Sequence, residues 1–94
     1  MDDRRVVRER FQISNRLGLH ARAAAQLVQL AAKFSSELTI GRDDQVVNGK
    51  SIMGLMMLAA SLGSTIELVA TGGDAEEMVA AIGALIEAKF NEPQ

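Results

Sequence analysis

The sequence predicts an α+β fold of order β-α-β-β-α-β-α, a sheet with one wet face and helices packed on the other. Three observations carry this. Short segments starting near Val7, Glu37, Gln45 and Thr65 have strand-like character, three of them with alternating apolar and polar residues. Segments after His20, Ser51 and Asp74 carry helical patterns of apolar residues. Breaks rich in glycine, asparagine or aspartate separate them.

In the first strand Phe11 and Ile13 alternate with Arg8, Arg10 and Gln12, while Glu9 interrupts the apolar face. Asn15 to Leu19, with Gly18, ends this pattern. A helix follows from about Ala21 to Phe34, with Ala24, Leu27, Val28, Ala31 and Phe34 inward and Arg22, Gln26, Gln29 and Lys33 outward. Leu38 and Ile40 alternate in Glu37 to Gly41, and Gln45 to Val47 is a second short strand. Arg42 to Asp44 suits the hairpin turn between them. A second helix spans Ser51 to about Ala60. A fourth strand spans Thr65 to Thr71, with Ile66, Leu68 and Ala70 on one face. The last helix has Asp74 as N-cap, Glu77 in its first turn, and Met78, Val79, Ile82, Leu85, Ile86 and Phe90 as its buried stripe.

Ninety-four residues suit one domain over 1–94, with a charged arm over 1–6 and a short tail over 91–94. The chain is 48% hydrophobic and 23% charged, and lacks cysteine and tryptophan, so its core needs no disulfide. The first eleven residues carry too much charge for a signal peptide, and the apolar run Ile52 to Ala60 falls well short of the ~20 residues of a membrane span. A cytoplasmic protein with no membrane insertion is expected. A net charge of −2 and three phenylalanines as the only aromatics argue against nucleic acid as a partner. Arg4, Arg5, Arg8 and Arg10 are diluted by Asp2, Asp3 and Glu9, which suits a solvated arm. With one histidine and no cysteine a metal site would need carboxylates, and no cluster of them has ligand spacing, so none is expected.

His20, the only histidine, is the strongest candidate for chemistry, because it lies in GLHARAAA where a loop becomes a helix. Amides at a helix start lack intrahelical partners and, with the helix dipole, attract anions. A phosphoryl group on this imidazole would meet those amides, and Arg22 offers a guanidinium to the same oxygens. Gly18 permits the sharp turn before it. Triad chemistry is not expected, because it needs a buried orienting carboxylate and no motif presents a nucleophile elbow. Gly49-Lys50-Ser51 looks like the end of a P-loop, but Asp44 stands where its first glycine belongs. Ser51 instead caps the second helix, and it is also a candidate for phosphorylation, which would place roughly two negative charges beside an apolar surface. That surface exists because Ile52, Met53, Leu55, Met56, Met57 and Leu58 surround the helix, more than a two-layer domain buries.

From about Arg10 to Phe90 the chain resembles the histidine-containing phosphocarrier (HPr) family of the bacterial phosphoenolpyruvate-dependent phosphotransferase system. GLHARAAAQLV is similar to its active-site segment and VNGKSIMGLMML to its regulatory one. The resemblance implies an open-faced β-sandwich, a four-stranded antiparallel sheet of order 1-4-2-3 with three helices on one face. It implies that His20 takes a phosphoryl group on Nδ1 from Enzyme I and gives it to a IIA component. Arg22 would stabilise the phosphate, Ser51 would be the substrate of HPr kinase/phosphorylase, and Ile52, Met53 and Met56 would form the docking patch. One departure is Ala23, where the family commonly has proline, so a φ restraint in the first helical turn is lost.

The expected function is therefore that of a stoichiometric phosphocarrier, monomeric, without cofactor, and not an enzyme in its own right. It would serve sugar uptake or the nitrogen-regulatory branch. An alternative of another class is a regulatory interaction module controlled by Ser51 phosphorylation. A third, a small-ligand-binding sandwich, gives no reason for the Gly18-to-Arg22 constellation.

Overall fold

The computed structural model describes residues 5–92. Its elements are β1 (Val6–Gln12), α1 (Ala21–Ala31), β2 (Glu37–Arg42), β3 (Gln45–Asn48), α2 (Ile52–Met57), β4 (Thr65–Thr71) and α3 (Ala75–Glu87). A left-handed turn, Lys89–Asn91, follows α3. The four strands form one antiparallel sheet of order β1-β4-β2-β3.

Register explains which face is dry. Val7 pairs with Ala70, Phe11 with Ile66, and Ile40 with Leu68, so these residues share the face that the helices cover. Leu38, Ile40, Ile66, Leu68 and Ala70 are buried there against Leu27 of α1, Leu55 of α2, and Met78, Ile82 and Ile86 of α3. Glu9, opposite Leu68, stays exposed on the helix side because β1 is an edge strand. The open face carries Arg8 and Arg10, each 3.8 Å from Glu67.

Several boundaries differ from the sequence pattern. β1 starts at Val6, and Arg5 pairs with Glu76 at 3.0 Å, both partners remaining exposed to solvent. The rest of the arm, Met1 to Arg4, lies outside the described residues, as do Pro93 and Gln94 of the tail. Ile13 lies just past β1 but is fully buried. α1 ends at Ala31 because Lys33 and Phe34 bond to the third preceding carbonyl, and Lys50 Nζ takes the Phe34 carbonyl at 2.8 Å. α2 stops at Met57 rather than near Ala60: Arg42 Nη1 donates to the carbonyls of Leu58 and Ala59 at 2.9 and 3.2 Å, and Ala59 turns to φ 50°.

Asp74 precedes α3 as expected, yet its side chain caps nothing in that helix. Its carboxylate accepts the N–H groups of Ser35 and Ser36, both at 2.9 Å, and the Ser36 hydroxyl. It thus ties the start of α3 to the α1–β2 connection. These bonds, the Ser36 hydroxyl first, hold its carboxyl down at about 2, against 3.8 when free. A group with a depressed folded pKa adds stability that is present above its unfolded value and is lost as pH falls towards the folded one. Wild-type protein is therefore expected to lose stability between about pH 4 and 2 more steeply than Asp74→Asn. Denaturant midpoints measured across that window check this, and parallel slopes would contradict it.

Candidate functional site

Gly18 holds φ +67° and lets the chain turn from β1 into α1, with Leu19 N–H bonded to the Ala60 carbonyl at 2.9 Å. This sets His20 as the N-cap of α1, with φ −75° and ψ 177°. The first intrahelical bond runs from Ala24 N–H to the His20 carbonyl at 2.8 Å. The amides of Ala21, Arg22 and Ala23 precede it, and the His20 side chain does not cap them. They remain donors at the positive end of the helix dipole.

The imidazole is 29% exposed, so it is reachable by a partner yet held. Its Nε2 lies 3.2 Å from Glu92 Oε2. Among the described residues Nδ1, the nitrogen nearer the backbone, has no hydrogen-bond partner. Glu92 in turn accepts from Asn15 Nδ2 at 3.0 Å and from Leu17 N–H at 3.3 Å. The Asn15 bond is the largest cause that holds the Glu92 carboxyl below the usual carboxylate range, so it is ionised at neutral pH.

A cleft of about 370 Å³ opens at the imidazole, lined by Arg16, His20, Arg22, Gln26, Phe90 and Glu92 among others. Arg22 is exposed on the first turn of α1, and its side chain makes no hydrogen bond or ion pair among the described residues. Arg16 adds a second guanidinium to the rim. The arrangement offers a bare ring nitrogen, open amides and two cations to an incoming anion. Ala23, three residues past the N-cap, is fully buried.

The sequence pointed to His20 and Arg22 and the structure sets them in one cleft. Glu92 and Asn15 were missed: Asn15 reads as a loop residue and Glu92 as tail. The only sequence signal for either was Phe90, the last residue of the predicted apolar stripe, which is buried at 2% exposure and keeps the chain end docked.

Ser51 and the apolar patch form a separate feature. The Ser51 hydroxyl accepts the Gly54 N–H at 3.0 Å and caps α2. Ile52, Met53 and Met56 are exposed by 42%, 74% and 46%, and Met57 joins them at 64%, whereas Leu55 and Leu58 point into the core. Ser51→Ala is expected to remove the cap, costing about 1 kcal/mol and lowering Tm by roughly 4–8 °C. A thermal melt within a degree of wild type would show that the cap contributes nothing.

The model of the family described as "PTS HPr component phosphorylation site" matches residues 7–88. The phosphocarrier protein HPr of Neisseria meningitidis is 47% identical over 87 residues, which is 93% of this chain and 98% of that one. The phosphocarrier protein NPr of Shewanella violacea is 46% identical over 80 residues, covering 85% and 88%. The crystal structure of HPr-C-His from Thermoanaerobacter tengcongensis superposes with a TM-score of 0.89 at 46% identity, over 94% of this chain and 99% of that one. Among the described residues no helix is long and apolar enough to cross a membrane. The fold and the full-length matches together place the chain in the HPr family, the phosphocarriers of the phosphotransferase system.

Proposed function

We propose that His20 is the phosphoryl acceptor of a cytoplasmic carrier that works as a monomer and as one unit over its whole length. The phosphoryl group comes from Enzyme I, itself charged by phosphoenolpyruvate, and goes to a IIA component serving sugar uptake or nitrogen regulation. The supporting observation is the His20 imidazole as N-cap residue of α1, with Nε2 engaged by Glu92 and Nδ1 without a hydrogen-bond partner among the described residues. The Nδ1 lone pair forms a bond to phosphorus as the bond from phosphorus to Enzyme I breaks. Transfer to IIA reverses this, with the electron pair returning to Nδ1. Arg22 and the amides of the first turn take the phosphoryl oxygens. Ile52, Met53 and Met56 form the apolar surface on which both partners dock. The protein returns unchanged only after both transfers, so it carries and does not by itself catalyse.

A second reading has support of its own: Ser51 caps α2 beside the exposed methionines, so a phosphate there would charge the edge of the docking surface. HPr kinase/phosphorylase is the enzyme class that would add it.

One labelling experiment tests both. Phosphoenolpyruvate with the cognate Enzyme I should give one acid-labile phosphate per chain, mapped to His20, because a P–N bond hydrolyses in acid where a serine ester survives. ATP with an HPr kinase should give acid-stable label at Ser51 if the second route operates. No acid-labile label, with an Enzyme I shown to charge another carrier, would end the carrier assignment. Sedimentation at a single-chain mass checks the monomer.

A further inference from the structure

The chain reverses after α3 in a way that L-residues rarely adopt. Lys89, Phe90 and Asn91 hold φ of 58°, 53° and 55°, three consecutive non-glycine residues in the left-handed region. Such a turn persists only where its surroundings fix it, and here it brings Glu92 against the ring of His20. Phe90 anchors the turn in the core.

The carboxylate is held from three sides. Oε2 faces both His20 Nε2 and Asn15 Nδ2, and Oε1 accepts the Leu17 N–H. Asn15 is fully buried, and its amide also donates to the Gly18 carbonyl at 2.8 Å. Both partners of Nδ2 are acceptors, so the amide has one satisfactory orientation. That orientation leaves Asn15 Oδ1 buried without a partner. A buried acceptor left unmatched is unfavourable, and in return one N–H donates to the Gly18 carbonyl and the other to Glu92.

An ionised carboxylate accepts and does not donate, so the ring nitrogen beside it carries the hydrogen. We infer that Glu92 is a positioning residue for phosphoryl transfer: it fixes the His20 proton on Nε2, leaves the lone pair on Nδ1, and is itself aimed by Asn15. The inference rests on the reading of His20 as phosphoryl acceptor. When the Nδ1–phosphorus bond forms, the proton stays on Nε2 against Glu92. When the phosphoryl group departs, the bonding pair returns to Nδ1 and the ring is again neutral with hydrogen on Nε2. No other proton carrier is required in either direction.

The test uses the full-length, unphosphorylated protein with ¹⁵N-labelled histidine, followed by transfer kinetics from Enzyme I. Wild type should show widely separated ring-nitrogen shifts with hydrogen on Nε2. In Glu92→Ala the two shifts should move towards each other as both tautomers populate. The maximal transfer rate should fall about 100-fold, with the half-saturating carrier concentration unchanged. Glu92→Gln keeps an oxygen that accepts from Nε2–H and should recover most of that rate. Unchanged ring shifts in Glu92→Ala would overturn the inference, as would a transfer rate within twofold of wild type or a Glu92→Gln variant as slow as Glu92→Ala. The tautomer measurement needs no partner protein, so it fails separately from the labelling experiment that tests the carrier reading.

Discussion

Gly18→Ala is expected to destabilise the protein by about 3 kcal/mol and to slow phosphoryl transfer about 100-fold. Gly18 has φ +67°, a region in which an added Cβ is strained whatever space surrounds it. Space is also absent. The new Cβ would stand 2.4 Å from the Ala60 carbonyl oxygen and 2.9 Å from Ser61 Cα, both backbone atoms that no rotamer change can move. That same oxygen accepts the Leu19 N–H at 2.9 Å, so relief of the clash weakens the bond that holds the loop immediately before His20. For a domain of this size the loss lowers Tm by roughly 12–24 °C. Gly63→Ala is the control: its φ is +92°, but nothing lies within 4 Å of the added Cβ. It should cost about 1 kcal/mol and leave transfer unchanged. Thermal melts and Enzyme I kinetics on the two variants separate the effects. Equal losses in both would show that backbone conformation alone matters and that the contact with Ala60 does not.

The contrast between these glycines bears on how much of the molecule was legible in its sequence. Periodicity located β4 to the residue, because a central strand buried on one face shows the alternation of Ile66, Leu68 and Ala70 without interruption. It overran both α1 and α2: past Ala31 the N–H groups of Lys33 and Phe34 reach only the third preceding carbonyl, and past Met57 the remote Arg42 takes the carbonyls of Leu58 and Ala59. Apolar spacing continues past such a stop and carries no trace of it. Asp74 is the N-cap residue of α3 as read, but its carboxylate caps nothing there because the fold brings the amides of Ser35 and Ser36 to it. At the site, His20 and Arg22 were visible because a loop-to-helix junction is a local pattern. Glu92 and Asn15 reach His20 only through the left-handed turn at Lys89–Asn91, a conformation that no local preference of those residues announces.

His20→Ala should abolish acid-labile phosphorylation while leaving the fold within about 1 kcal/mol of wild type. The two halves of this expectation have separate causes. The imidazole is partly exposed, and its one side-chain hydrogen bond is to Glu92. Removing it leaves that carboxylate still bonded to Asn15 Nδ2 and Leu17 N–H, so no charge is stranded. Chemistry has no such substitute. The chain contains no second histidine and no cysteine, so no other imidazole or thiolate can take a phosphoryl group in its place. Ser51 remains, but an ester there is acid-stable and would not pass for a phosphoramidate. Circular dichroism should overlay the wild-type spectrum, and label from phosphoenolpyruvate and Enzyme I should fall to background. Acid-labile label retained by a folded His20→Ala protein would place the accepting atom elsewhere. It would also strip the Glu92 contact of any part in the transfer.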